Sequence, residues 1–141
     1  MMTSLTSATL ALVERAHESL LTGYAAESAT ERHQAAHLAA LRGAAALVAA
    51  RDVHARQSRL GPVSLWDLVA RLTPELAEWA RHFALVTPRL SLVDAGRVRV
   101  SVREADDLLR DAETFLARAE LVIGMPARVD PVPGLAPVRS A

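Results

Sequence analysis

Residues Glu31–Arg51, ERHQAAHLAALRGAAALVAAR, decide what this chain can build. Alanine dominates the stretch, and alanine is the best of the helix formers. Ser28-x-x-Glu31 in front of it has the form of a capping box, so a long helix is predicted to begin there. Leu38, Leu41, Ala45 and Val48 fall on one face of that helix, and Ala36, Ala40, Gly43 and Ala50 form a strip of small residues beside it. A glycine in a helix interior costs about 1 kcal/mol, so Gly43 predicts a close neighbouring backbone, within a bundle or across a dimer.

Working outward, the other segments read as helices too. Leu10, Val13, His17, Leu20 and Tyr24 repeat at steps of three and four over about Thr6–Ala26, leaving Glu14, Arg15 and Glu18 for solvent. Gly61-Pro62 closes a polar loop at 55–63, and Ser64 caps the next run. There Leu65, Val69, Leu72, Leu76, Trp79, Phe83, Val86, Leu90 and Val93 keep one helical register across Pro74 and Pro88. Thr73-Pro74 is predicted to kink or restart it, and Trp66 and Trp79 to anchor the core or an interface. Gly96 ends the run and 97–100 is an extended connector. Ser101-x-x-Glu104 caps a last helix that buries Ala105, Leu108, Ala112, Phe115, Ala119 and Val122, with Asp106 and Arg110 as an i,i+4 pair.

Gly124-Met-Pro126 stops that helix. The expected fold is all-α, a four-to-five-helix up-and-down bundle over residues 1–124, with a disordered proline-rich tail over 125–141. The small-residue strip and the alanine-heavy helices bury modest area per chain, which points to a homodimer.

Composition narrows the function classes. All sixteen basic residues are arginine, and they balance sixteen acidic ones. Zero net charge argues against binding duplex DNA or a membrane surface by bulk electrostatics, and any phosphate contact falls to arginine. Without cysteine there is no disulfide, thiolate or Cys-based zinc chemistry. The N-terminus lacks a basic n-region, and Ala35–Ala50 is too short and too polar to cross a bilayer. A soluble cytoplasmic protein is expected.

Three constellations bear on chemistry. Arg32-x4-His37, with His33 between, combines a phosphate clamp with a proton shuttle, the pair that metal-free RNA cleavage requires. Five residues apart on a helix the two side chains diverge by about 140°, so they converge only at a frayed turn or across two subunits. The structural alternative makes Arg32 a solvated first-turn residue and His37 a packed one, on the face of Leu41, Ala44 and Val48. Glu14-x-x-His17 and His33-x3-His37 have metal-ligand spacings, but only one Glu-x-x-His unit exists where a bundle di-metal site needs two. No metal or other cofactor is therefore assigned, and His17 is expected to be a hydrogen-bonded core residue. Arg51, His54, Arg56 and Arg59 complement a helix C-terminus, with a phosphate-binding patch as the alternative. Asp106, Asp107 and Asp111 form a solvated face or pair with Arg32 or Arg42.

The runs RHQAAHLAALRGAAALVAAR (32–51), SLWDLVARLTPELAEWARHFA (64–84) and SVREADDLLRDAETFLARAE (101–120), in that order, resemble a family of bacterial HEPN-domain proteins. The resemblance covers about Leu10 to Ile123 and rests on segment order and on the ALRGAAALVAA helix. It implies one of two roles. Many HEPN proteins are dimeric ribonucleases in which an Arg-x(4–6)-His motif from each subunit lines a shared cleft. Arg32, His33 and His37 match that motif, with His37 as acid/base, Arg32 as phosphate clamp and His33 in support. In those branches the motif usually lies in a later helix, whereas here it opens the second. Other HEPN branches are non-catalytic accessory modules for protein–protein interaction or nucleotide binding, and this chain lacks the Glu and Lys that their second helix often carries. RNA or a nucleotide and a second copy are the implied partners.

Overall fold

The computed structural model describes residues 6–51 and 64–125. Among them are five α-helices, α1 (Ser7–Ala25), α2 (Ala29–Arg51), α3 (Leu65–Leu72), α4 (Ala77–Asp94) and α5 (Val102–Ile123). A 3₁₀ turn at Pro74–Leu76 joins α3 to α4, and no strand occurs among the described residues. The all-α expectation holds. The 55–63 loop, with His54, Arg56 and Arg59, and nearly all of the predicted tail lie outside the described residues. Met125, assigned by sequence to the tail, instead packs against the core.

Helix starts follow from side chains that satisfy the first unpaired amides. Thr6 Oγ1 accepts from Thr9 N, Ser28 Oγ from Glu31 N, Ser64 Oγ from Asp67 N, and Ser101 Oγ from Glu104 N. Gly124 ends α5 in the left-handed region at φ 94°, where its amide reaches the Glu120 and Leu121 carbonyls. Pro74 opens the 3₁₀ turn, a position that needs no amide hydrogen. Helix α4 runs on through Pro88 and forgoes one backbone bond there.

Helix α2 is the hub. Arg42 Nη1 reaches Ser19 Oγ and Arg32 Nε reaches the Gly23 carbonyl, so α1 lies antiparallel to α2. Arg32 meets Asp106 while Gly43 meets Phe115 and Leu116, so α5 runs parallel to it. His37 meets Thr87 and Gln34 meets Asp94, which sets α4 antiparallel.

With neighbours on three sides, α2 buries mostly small residues, along with His33 and His37. Ala36, Ala39, Ala40, Ala44 and Ala46 are fully buried together with Leu47. Leu38, by contrast, is exposed, and Leu41, Ala45 and Val48 are half-buried. The predicted large-residue face thus lies at the rim of the core, with Leu41 and Val48 packed against its edge. Alanine and glycine let helix axes approach, and that close packing takes precedence over side-chain size. Gly43 marks such an approach inside the bundle: a Cβ there would sit 3.3 Å from Leu116 Cδ1 and 3.4 Å from Phe115 Cε2. The neighbour is therefore a pair of α5 side chains, neither a backbone nor a second copy.

The same effect shifts α1. Thr9, Val13, Ala16, Leu20 and Gly23 are buried, whereas Leu10 and Tyr24, at the ends of the predicted stripe, are exposed. The α3–α4 stripe holds throughout, each of its nine residues being buried or half-buried. Trp66 stacks on Phe83 with ring centroids 5.1 Å apart, and Phe115 meets Phe83 edge-on at 5.3 Å. That aromatic cluster pins α3 and α4 to α5.

Candidate functional site

Arg32 leaves the first turn of α2 toward α1 and α5. Its Nε donates to the Gly23 carbonyl at 2.9 Å and Nη2 to the Ala26 carbonyl at 3.0 Å. Its Nη1 donates to Asp106 Oδ1 at 2.7 Å. The two carbonyls belong to the end of α1, where intrahelical donors run out. The guanidinium thus ties the α1–α2 corner to the start of α5. Asp106 takes Arg32 as its partner, one of the two pairings expected for the acidic face. Arg110 lies 3.8 Å from Asp107 rather than pairing with Asp106, and Arg42 turns to α1.

His33 and His37 lie one turn apart on the opposite side of α2, with 1% and 2% of their surface exposed. Thr87 Oγ1 donates to the Phe83 carbonyl, so it accepts from His37 Nε2–H at 3.2 Å. This fixes the tautomer and leaves His37 Nδ1 as a bare, unpartnered acceptor. His33 Nε2 points toward Glu104 Oε2 at 3.9 Å, and its Nδ1 is also unpartnered. Burial pushes both imidazoles below the ordinary histidine pKa. Glu104 acts against the shift at His33, while His33 itself adds to the shift at His37.

Glu104 is held by Arg89, whose Nη2 lies 2.8 Å from Oε1 and whose Nε donates to Oε2. That guanidinium keeps the carboxyl below its usual range. Around this pair, α4 and the first half of α5 enclose an open groove of about 500 Å³. His33, Val86 and Leu108 line it alongside Leu85, Asp107 and Asp111. His82 Nε2 meets Asp111 Oδ2 at its edge at 3.0 Å.

Among the described residues Arg32 and His37 therefore engage different neighbours. His33 borders the groove and His37 does not. His17 is the hydrogen-bonded residue expected, its Nε2 lying 3.1 Å from Glu120 Oε2. Among the described residues no three His, Asp or Glu side chains cluster as metal ligands. Sequence reading missed Arg89, Thr87 and the groove. The capping-box glutamate was its one visible marker, since Glu104 serves as both helix starter and ion-pair partner.

The model of one protein family, HEPN_SAV_6107-like HEPN, matches residues 23–120. No curated protein and no solved structure matches the chain.

Proposed function

From the premise that the chain belongs to the HEPN_SAV_6107-like HEPN family, we propose that it is a non-catalytic module that works by binding a partner protein. The placement of Arg32 and His37 carries this reading. The arginine that a phosphate clamp would need has three donors committed to Gly23, Ala26 and Asp106. The histidine that would move the proton is sealed behind α4. A general acid or base has to come within hydrogen-bond reach of its substrate, and His37 has no open path to one. No helix among the described residues is long and apolar enough to cross a membrane.

Incubating the purified full chain with single-stranded RNA in EDTA tests the reading. It predicts no cleavage above buffer, in the wild type and in His37→Ala alike. Cleavage that disappears in a folded His37→Ala protein would overturn it.

The ribonuclease reading retains one supporting observation, that His33 borders an open groove. In that reading Arg32, His33 and His37 act in a homodimer whose second copy completes the cleft. It requires a dimer in solution and loss of cleavage in His33→Ala.

A further inference from the structure

Three features of the α4–α5 groove favour one kind of occupant. The first is apolar: Leu85 stands 79% exposed at the lip, above Val86 and Leu108 within. A large aliphatic side chain left in water beside an apolar cleft is a surface that a partner can cover. The second is charge. Glu104, Asp107 and Asp111 fall at i, i+3 and i+7 on a single face of α5. Glu104 is neutralised by Arg89, but Asp107 and Asp111 are not neutralised closely. The cations nearest Asp107, Arg103 and Arg110, lie 3.8 Å away on side chains 91% and 72% exposed. Among the described residues Asp111 meets the His82 imidazole, at 3.0 Å, and no guanidinium. The third is His33, buried at the groove's inner end without a hydrogen bond: Nδ1 has no partner, and Nε2 is 3.9 Å from Glu104, beyond bonding reach.

We propose that this groove docks a basic amphipathic helix of a partner protein, with an apolar side chain on Leu85, Val86 and Leu108 and basic side chains on Asp107 and Asp111. Helical geometry sets the match. Asp107 and Asp111 are one turn apart, about 6 Å along the axis, so the partner presents two basic residues at i,i+4 beside a leucine-like anchor. The inference rests on the binding-module reading and adds the chemistry of the partner.

The test uses the full chain and a fluorescein-labelled synthetic peptide of about 15 residues, built from Leu, Ala, Gln and Arg with arginines at i,i+4. Fluorescence anisotropy should show saturable binding that Leu85→Glu or the Asp107→Arg/Asp111→Arg pair weakens about tenfold or more. A peptide with Glu in place of Arg should recover affinity for the charge-reversed protein. Leu121→Ser, exposed but outside the groove, should change nothing. Equal binding of a scrambled peptide of the same composition, or no loss in the charge-reversed protein, overturns the proposal. So does self-association of the chain that Leu85→Glu abolishes, or RNA binding lost with the same substitutions. The RNA cleavage assay is run on the same preparation. A chain that ignores the peptide and leaves RNA intact loses this inference while the binding-module reading stands.

Discussion

Replacing Arg32 by alanine separates its two roles most sharply. If the guanidinium is a tie between helices, the substitution destabilises the fold. If it is a phosphate clamp, stability barely changes. The structure sets the size. Two contacts go to carbonyls at the end of α1, each worth about 1 kcal/mol net. The third goes to Asp106, whose side chain is 39% exposed beside an Arg32 side chain 26% exposed. Solvent screening holds that pair to under about 1 kcal/mol. The total is about 2–3 kcal/mol, or roughly 6–12 °C in Tm for a domain of this size. Urea denaturation followed by far-ultraviolet circular dichroism measures it, and a double-mutant cycle with Asp106→Asn isolates the ion pair. A loss below about 0.5 kcal/mol, the range of an ordinary surface substitution, refutes the structural role.

Acidification should weaken the fold in two steps. The folded-state pKa values of His33 and His37 are depressed, so their contribution is fully present above the unfolded value of about 6.5 and is lost as pH falls below it toward the folded values. Glu104 and Glu75, also depressed, add a second loss below about 4.5. Urea midpoints should therefore drop between pH ~7 and pH ~5.5, and a His33→Gln/His37→Gln protein should lose that upper step. Gly23→Ala brings a Cβ to 2.8 Å from Leu109 Cδ1, on a buried side chain with little room to move, and should cost about 1–3 kcal/mol. Gly43→Ala meets 3.3 Å contacts and gains helix propensity, so thermal melts should place it within about 1 kcal/mol of the wild type. His37→Ala should lower stability by about 1–2 kcal/mol in the same melts while leaving peptide binding at the groove intact.

Much of the architecture was legible because it follows from local rules. Capping serines at 28, 64 and 101 start the helices they predict, and the Leu65–Val93 register survives two prolines because tertiary burial reinforces it. The inside of α2 was not legible. Leucine outweighs alanine in a hydrophobic pattern, yet close helix packing buries Ala36, Ala40 and Gly43 and turns Leu38 outward. Likewise Thr9, Ala16 and Gly23, small residues beside a greasier stripe, carry the α1 contact. At the site, the divergence of Arg32 from His37 followed from about 100° per residue. The destination of each side chain did not. Asp106, Thr87 and Glu104 come from elements more than forty residues away, and only the folded chain brings them to α2.

His33 and His37 are buried, and burial depresses the pKa of both. Long-range nitrogen–proton correlation spectra of the ¹⁵N-labelled full chain, recorded from pH ~7.5 to pH ~5.5 with and without a single-stranded RNA oligonucleotide, read their state directly. Both imidazoles are predicted to be less than half protonated at pH ~6.5, where an ordinary histidine is half protonated, with the neutral form of His37 carrying its proton on Nε2, and both are predicted to ignore the RNA. Half-protonation of either at that pH, or a shift of either resonance on adding RNA, would contradict the account.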